Sequence, residues 1–214
     1  MKQKHILFDL DGTIVRSDLG ITKGVQKSLE HFGIYEELDD LKKFVGPPMV
    51  ESYTNFYGFS LEQYKEALDV FHDYYRSVGI FECELYEGIE ETLESLSKEY
   101  KLYVATSKPE REAKRVIEHF GLDKYFTFVG GSDGDFNTKR ATKTAVIEYV
   151  LETNKIMDRG FAIMVGDKSH DIVGASNAGL KSIGVLYGYG VLEEFEGANY
   201  IVKNVEDLRD MFLC

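Results

Sequence analysis

Short, nearly unbroken apolar runs alternate along this chain with stretches of helical periodicity, and that alternation restricts the fold more than any other feature. The runs occupy residues 6–8, 102–106, 125–129, 161–165 and 183–186. Runs this short and continuous suit parallel strands buried on both faces. Between them, Ile89, Leu93 and Leu96 recur at helical spacing. Ala113, Val116, Ile117 and Phe120 do the same, with Pro109 at a first helical position and Gly121 just past the end. Residues 142–153 and 171–178 also read as helices, the second closed by Gly179, and Asn204 is placed to cap a helix over 205–212. Strand and helix in alternation imply an α/β domain around a mainly parallel, Rossmann-like sheet.

Residues 22–78 break the pattern, with helical faces and no convincing strand. Val25, Leu29 and Phe32 form one face, stopped by Gly33; Leu38, Leu41, Phe44 and Val45 form another, stopped by Gly46–Pro47–Pro48. Ser60 and Gln63 have capping-box spacing, and the helix they open buries Tyr64, Ala67, Leu68, Phe71, Tyr74, Tyr75 and Val78. The expected organisation is an α/β core of residues 1–15 and 82–214, with a helical unit of residues 16–81 inserted after the first strand.

The 25 basic and 37 acidic residues leave a net charge of −12. Such a surface excludes a polymer of nucleic acid as partner, which needs a basic face. A small phosphorylated ligand stays compatible, because one local cation reverses the field inside a site. Cys83 and Cys214 are too few for a disulfide framework, so free thiols and a cytoplasmic location are expected. No apolar run approaches the ~20 residues of a membrane span. The polar residues 1–5 lead directly into a strand and do not read as a signal peptide.

Open parallel sheets bind ligands at the carboxyl ends of their strands. The first strand ends in Asp9–Leu10–Asp11–Gly12–Thr13, the second in Thr106–Ser107–Lys108, and the fourth in Gly166–Asp167, with Asp171 on the helix that follows. Converging carboxylates repel one another unless a cation joins them. Mg²⁺ suits the donor set, since it uses one or two carboxylates together with water and substrate phosphate. The Thr106 hydroxyl and the Ser107 N–H precede a helix whose N-terminus favours an anion. A lysine would complete the phosphate clamp.

Asp9–Leu10–Asp11–Gly12–Thr13 is the DxDGT signature of the haloacid dehalogenase-like hydrolases, and the chain resembles that superfamily over its whole length. Thr106 resembles its second motif and Gly166–Asp167–Lys168–Ser169–His170–Asp171 its GDxxxD motif. The helical insert is similar to the family's C1-type cap. Gly46–Pro47–Pro48 and Glu84–Leu85–Tyr86–Glu87–Gly88 resemble the phosphoglycolate phosphatase and 5′-nucleotidase-like branch. The family's third motif is a lysine at a helix start, which selects Lys143 over Lys139; neither is followed by the proline common in relatives.

The resemblance implies a Mg²⁺-dependent phosphomonoester hydrolase that works through an aspartyl-phosphate. Asp9 is then the nucleophile and Asp11 the acid and base. The metal falls to the Asp9 carboxylate, the Asp11 backbone carbonyl and Asp167, with Asp171 a further or indirect ligand. Gly12, Thr106, Ser107 and Lys143 hold the phosphate. The implied substrate is a small phosphate ester, phosphoglycolate or a nucleoside 5′-monophosphate, handled by a monomer or homodimer off the membrane. A phosphomutase of the same superfamily and a phospho-aspartate receiver module are the alternatives. Arg16, Asp18, Lys23 and the Gly46–Pro47–Pro48 turn are candidates to touch the leaving group. His170 is expected near or outside the site rather than as a ligand, and residues 130–134 as an ordinary loop beside it.

Overall fold

The computed structural model describes residues 4–47, 49–134 and 139–213. In chain order the elements are β1 (His5–Phe8), β2 (Val15–Arg16), α1 (Asp18–His31), α2 (Met49–Tyr57), α3 (Leu61–Tyr75), β3 (Glu84–Leu85), α4 (Ile89–Ser97), β4 (Lys101–Pro109), α5 (Glu110–His119), β5 (Phe126–Ser132), α6 (Lys143–Thr153), β6 (Ala162–Gly166), α7 (Ser169–Asn177), β7 (Lys181–Val185), β8 (Tyr200–Val202) and α8 (Val205–Leu213). Six strands form a sheet in the order β5-β4-β1-β6-β7-β8, paired in parallel throughout. The α/β Rossmann-like architecture expected from the sequence is the one observed.

The chain forms two compact units, Met1–Val15 with Leu85–Cys214, and Arg16–Glu84. In the first unit, Leu7, Tyr103, Ala105 and Met164 of the sheet pack with Val146, Ile147 and Val150 of α6 and Ala175 of α7. Every one of these side chains is buried, which is why the strand runs are apolar without alternation. In the second unit, buried Tyr53 is ringed by Phe44, Phe59 and Tyr64. Its hydroxyl shares a hydrogen bond with the buried Ser28 hydroxyl, so the ring is enclosed without an orphaned polar group. Ser60 and Gln63 form the reciprocal capping box of α3, with Ser60 N–H donating to Gln63 Oε1 at 3.0 Å. A cap of this kind stabilises a helix by about 1 kcal/mol.

Several boundaries depart from the sequence reading. Residues 38–45 make a 3-10 turn over Asp40–Phe44 rather than a longer helix, and α2 follows it unanticipated. The second crossing between units falls at Glu84–Leu85, later than residue 81, because β3 pairs there with β2. Strand β4 continues past Thr106 to Pro109, so α5 starts at Glu110. Strand β5 runs to Ser132, which makes Gly130 and Gly131 strand residues instead of loop. Close packing explains their lack of side chains: a Cβ on Gly130 would lie 2.5 Å from Val150 Cγ2, and one on Gly131 would lie 2.5 Å from the Lys108 carbonyl oxygen. The edge strand β8 gives little sequence signal, because Tyr200 and Ile201 are partly exposed and its apolar run is only three residues. Pro48 and Cys214 lie outside the described residues.

Candidate active site

The register of the central strands gathers the site. Phe8 lies level with Val104 on one side and Val165 on the other. The residues just beyond these positions therefore emerge at one sheet edge, and they include Asp9, Thr106 and Asp167. Asp9 is held there by its N–H, which donates to the Val165 carbonyl at 2.8 Å. The chain then turns tightly, with Gly12 N–H donating to Val15 O at 2.8 Å and Ile14 N–H to Leu10 O at 2.9 Å. Gly12 takes φ +82°, and a Cβ there would sit 2.1 Å from Asp167 Oδ2. Only glycine admits both the backbone angle and the carboxylate.

Lys143 is the first residue of α6 and is buried. Its Nζ lies 2.8 Å from Asp9 Oδ1 and 2.8 Å from Asp171 Oδ1, and donates to the Ala105 carbonyl at 3.1 Å. Asp171 stands in the first turn of α7, where its Oδ2 also accepts from Lys168 N–H at 3.0 Å. It thus caps its own helix and pairs with the lysine at once. Asp9, Asp167 and Asp171 each offer an oxygen within 4.8 Å of the others, and all three are buried.

Burial pushes the Asp9 carboxyl up to about 6, against the pull of Lys143 and with Asp171 adding to the rise. Asp167 is raised well above the carboxylate range by burial first, then by Asp171 and Asp9. Lys143 is raised because Asp171 and Asp9 outweigh its own desolvation. One lysine does not neutralise three buried carboxylates. Asp167 Oδ1 is also buried without a hydrogen-bond partner among the described residues. An all-oxygen donor set with an unsatisfied oxygen fits a hard divalent cation such as Mg²⁺.

The other expected residues are placed as follows. Asp11 Oδ2 lies 2.7 Å from Lys108 Nζ. Thr106 is buried, and its hydroxyl accepts from Lys108 N–H at 3.3 Å; Ser107 is exposed at the same strand end. Lys139 is exposed in a turn, where its N–H donates to Asp133 Oδ2 at 3.3 Å. His170 is exposed. Arg16 pairs with Glu84, and Lys23 with Glu82 at 2.6 Å, within the Arg16–Glu84 unit.

The model of the family described as haloacid dehalogenase-like hydrolase matches residues 6–185, which include each of the motifs above. The chain belongs to this family. It is 37% identical over 196 residues to a 5′-nucleotidase of Pseudomonas aeruginosa, covering 91% of this chain and 87% of that protein. It is 27% identical over 220 residues to a phosphoglycolate phosphatase of Vibrio parahaemolyticus, covering 97% and 95%. The crystal structure of a predicted phosphatase from Clostridium acetobutylicum superposes with a TM-score of 0.93 at 43% identity, covering 100% of this chain and 99% of that one. The expectation of a phosphatase of this family is supported by all three. No helix among the described residues is long and apolar enough to cross a membrane.

Two parts of the hydrolase's site went unread in the sequence. Lys108 belongs to the Thr106–Ser107–Lys108 strand end, and nothing beside it in sequence signals a role. The segment after β7, Tyr187–Gly188–Tyr189–Gly190, is the other, and its one signal in sequence is a Gly-x-Gly at a carboxyl strand end. Tyr189 N–H donates to Asp167 Oδ2 at 2.8 Å, and half-buried Tyr187 donates its hydroxyl to Thr13 O at 3.0 Å. A Cβ on Gly190 would lie 1.8 Å from the Asp167 carbonyl oxygen, whereas one on Gly197 would meet nothing within 4 Å. Gly190→Ala is therefore expected to cost about 2–3 kcal/mol through overpacking. Gly197→Ala, at φ +85°, carries backbone strain of only about 1 kcal/mol. Thermal melts of the two variants check the order; equal shifts would mean that the Asp167 backbone yields freely.

Proposed function

We propose that this hydrolase cleaves small phosphomonoesters, phosphoglycolate or nucleoside 5′-monophosphates among them, through a phosphoryl group carried on Asp9. The observation that carries the reading is the buried cluster of Asp9, Asp167 and Asp171 around Lys143. Asp9 supplies the nucleophilic oxygen. Lys143 holds one Asp9 oxygen, directs the other toward phosphorus, and offsets charge on the phosphoryl oxygens. Thr106, the Ser107 N–H and the Gly12 turn stand at the same sheet edge to take those oxygens. Asp11 gives a proton to the leaving oxygen and receives one from the water that cleaves the Asp9 ester. The Asp9 and Asp167 carboxylates and the Asp11 carbonyl would hold Mg²⁺, with Asp171 fixing Lys143 beside them. That ion supplies the positive charge which neutralises the carboxylates and polarises a phosphoryl oxygen.

Orthophosphate release from a panel of phosphomonoesters tests the reading. Activity is expected to require Mg²⁺, to vanish on chelation, and not to return with Ca²⁺, whose larger and more flexible coordination misplaces the nucleophile. Full activity after exhaustive chelation rejects the metal assignment. A stable phosphoprotein that releases no orthophosphate identifies a receiver module instead.

A further inference from the structure

Lys108 is a buried cation of the site that the chemistry above leaves without a task. Its side chain is 6% exposed and its Nζ donates to Asp11 Oδ2 at 2.7 Å. Asp11 Oδ1 is also buried and has no hydrogen-bond partner among the described residues. The backbone of Lys108 is anchored at both ends: its N–H donates to the Thr106 hydroxyl, and its carbonyl sits where a side chain on Gly131 would collide. A fixed base on β4 thus carries a tip that reaches across to the residue beyond the neighbouring strand β1. Burying a lysine is costly unless it is paired, and this pairing makes the two oxygens of Asp11 inequivalent.

We propose that Lys108 is the positioning residue for Asp11: by holding Oδ2 it presents Oδ1 to the leaving-group oxygen of the phosphate ester. The proposal rests on the acid–base reading of Asp11 given above. In the first half-reaction Asp9 bonds to phosphorus, and the ester P–O bond gives its electron pair to the leaving oxygen. That oxygen takes the proton from Oδ1. In the second, a water oxygen bonds to phosphorus and its proton passes to Oδ1, while the Asp9–phosphorus bond returns its electron pair to Asp9. Correct placement of Oδ1 matters most when the leaving oxygen is basic. An alkyl phosphate needs the proton, and a nitrophenyl phosphate scarcely does.

The test is a series of p-nitrophenyl, phenyl and ethyl phosphate with the intact chain. For Lys108→Met, kcat is expected to fall by about 10-fold or less on the nitrophenyl ester and about 10²–10³-fold on the ethyl ester. KM and the Mg²⁺ concentration for half-maximal rate should be unchanged. Lys108→Arg should recover most of the ethyl phosphate activity. In an Asp11→Asn background, Lys108→Met should add less than about threefold, because it acts through the group already removed. If Lys108→Met does not melt cooperatively, Lys108→Gln replaces it in the same series. Equal losses across the three esters, a change confined to KM, or additive losses with Asp11→Asn would overturn the proposal, the first two by making Lys108 a simple phosphate binder. A wild-type chain that hydrolyses none of the esters overturns the functional reading itself, and the proposal with it.

Discussion

Asp9→Asn is expected to lower orthophosphate release on the order of 10⁵-fold, the scale seen when an enzyme loses its nucleophile. The amide is a poor nucleophile and cannot form the acyl phosphate. Its effect on stability should run the other way. The Asp9 carboxyl is held up at about 6 in the fold, above the value of an exposed aspartate, chiefly by burial. A raised carboxylate takes up protons on folding, so above that pH the charged form opposes the fold. The neutral amide removes that opposition, while Lys143 keeps its contact with Asp171. In chelator at pH 7.5 the variant should therefore melt no lower than wild type. A folded Asp9→Asn protein with activity within about tenfold of wild type would show that another residue carries the phosphoryl group.

Lys143→Met should have the next largest effect, on stability and rate together. The substitution keeps the stem and removes the charge that Asp9 and Asp171 share. Removing one partner from a buried ion pair costs about 3–5 kcal/mol, because the remaining charges are left without compensation. Activity should drop on the order of 10³-fold through loss of transition-state charge stabilisation. The melting defect in chelator should shrink as the pH falls from 7.5 to 5.5. Asp9 and Asp167 are both raised in the fold, so protons bind the folded state more tightly and stability rises as they bind. Lys139→Ala serves as the comparison: Lys139 is exposed, and a surface change of this kind stays within about 0.5 kcal/mol. Similar small effects for both lysines would remove Lys143 from the site.

The α/β class was legible because its signals are local. A strand buried on both faces needs a continuous apolar run, and each helix end carries its own chemistry. Asn204 Oδ1 accepting from Asp207 N–H at 2.8 Å, and Gly179 at φ +71° after α7, are decided within one turn of chain. Asp9, Asp11 and Gly12 were legible for the same reason, since they share a single strand end. Strand β8, with two of its three residues partly exposed, lacked a local signal of that strength. Other features depended on which strands become neighbours. The sheet order puts β4 and β6 on either side of β1, so residues far apart in the chain meet beyond its end. Nothing near Lys108 in sequence indicates that its ammonium meets Asp11, or that the glycines after β7 make room for Asp167. The choice between Lys139 and Lys143 has the same character. Sequence offered two lysines within five positions, and the packing of α6 against the sheet buries one amid carboxylates while the other faces water. Local chemistry determined which elements form and which residues stand at their ends, because a few neighbouring bonds decide it. Tertiary structure alone decided which charges are buried together, because that depends on the order in which strands pair.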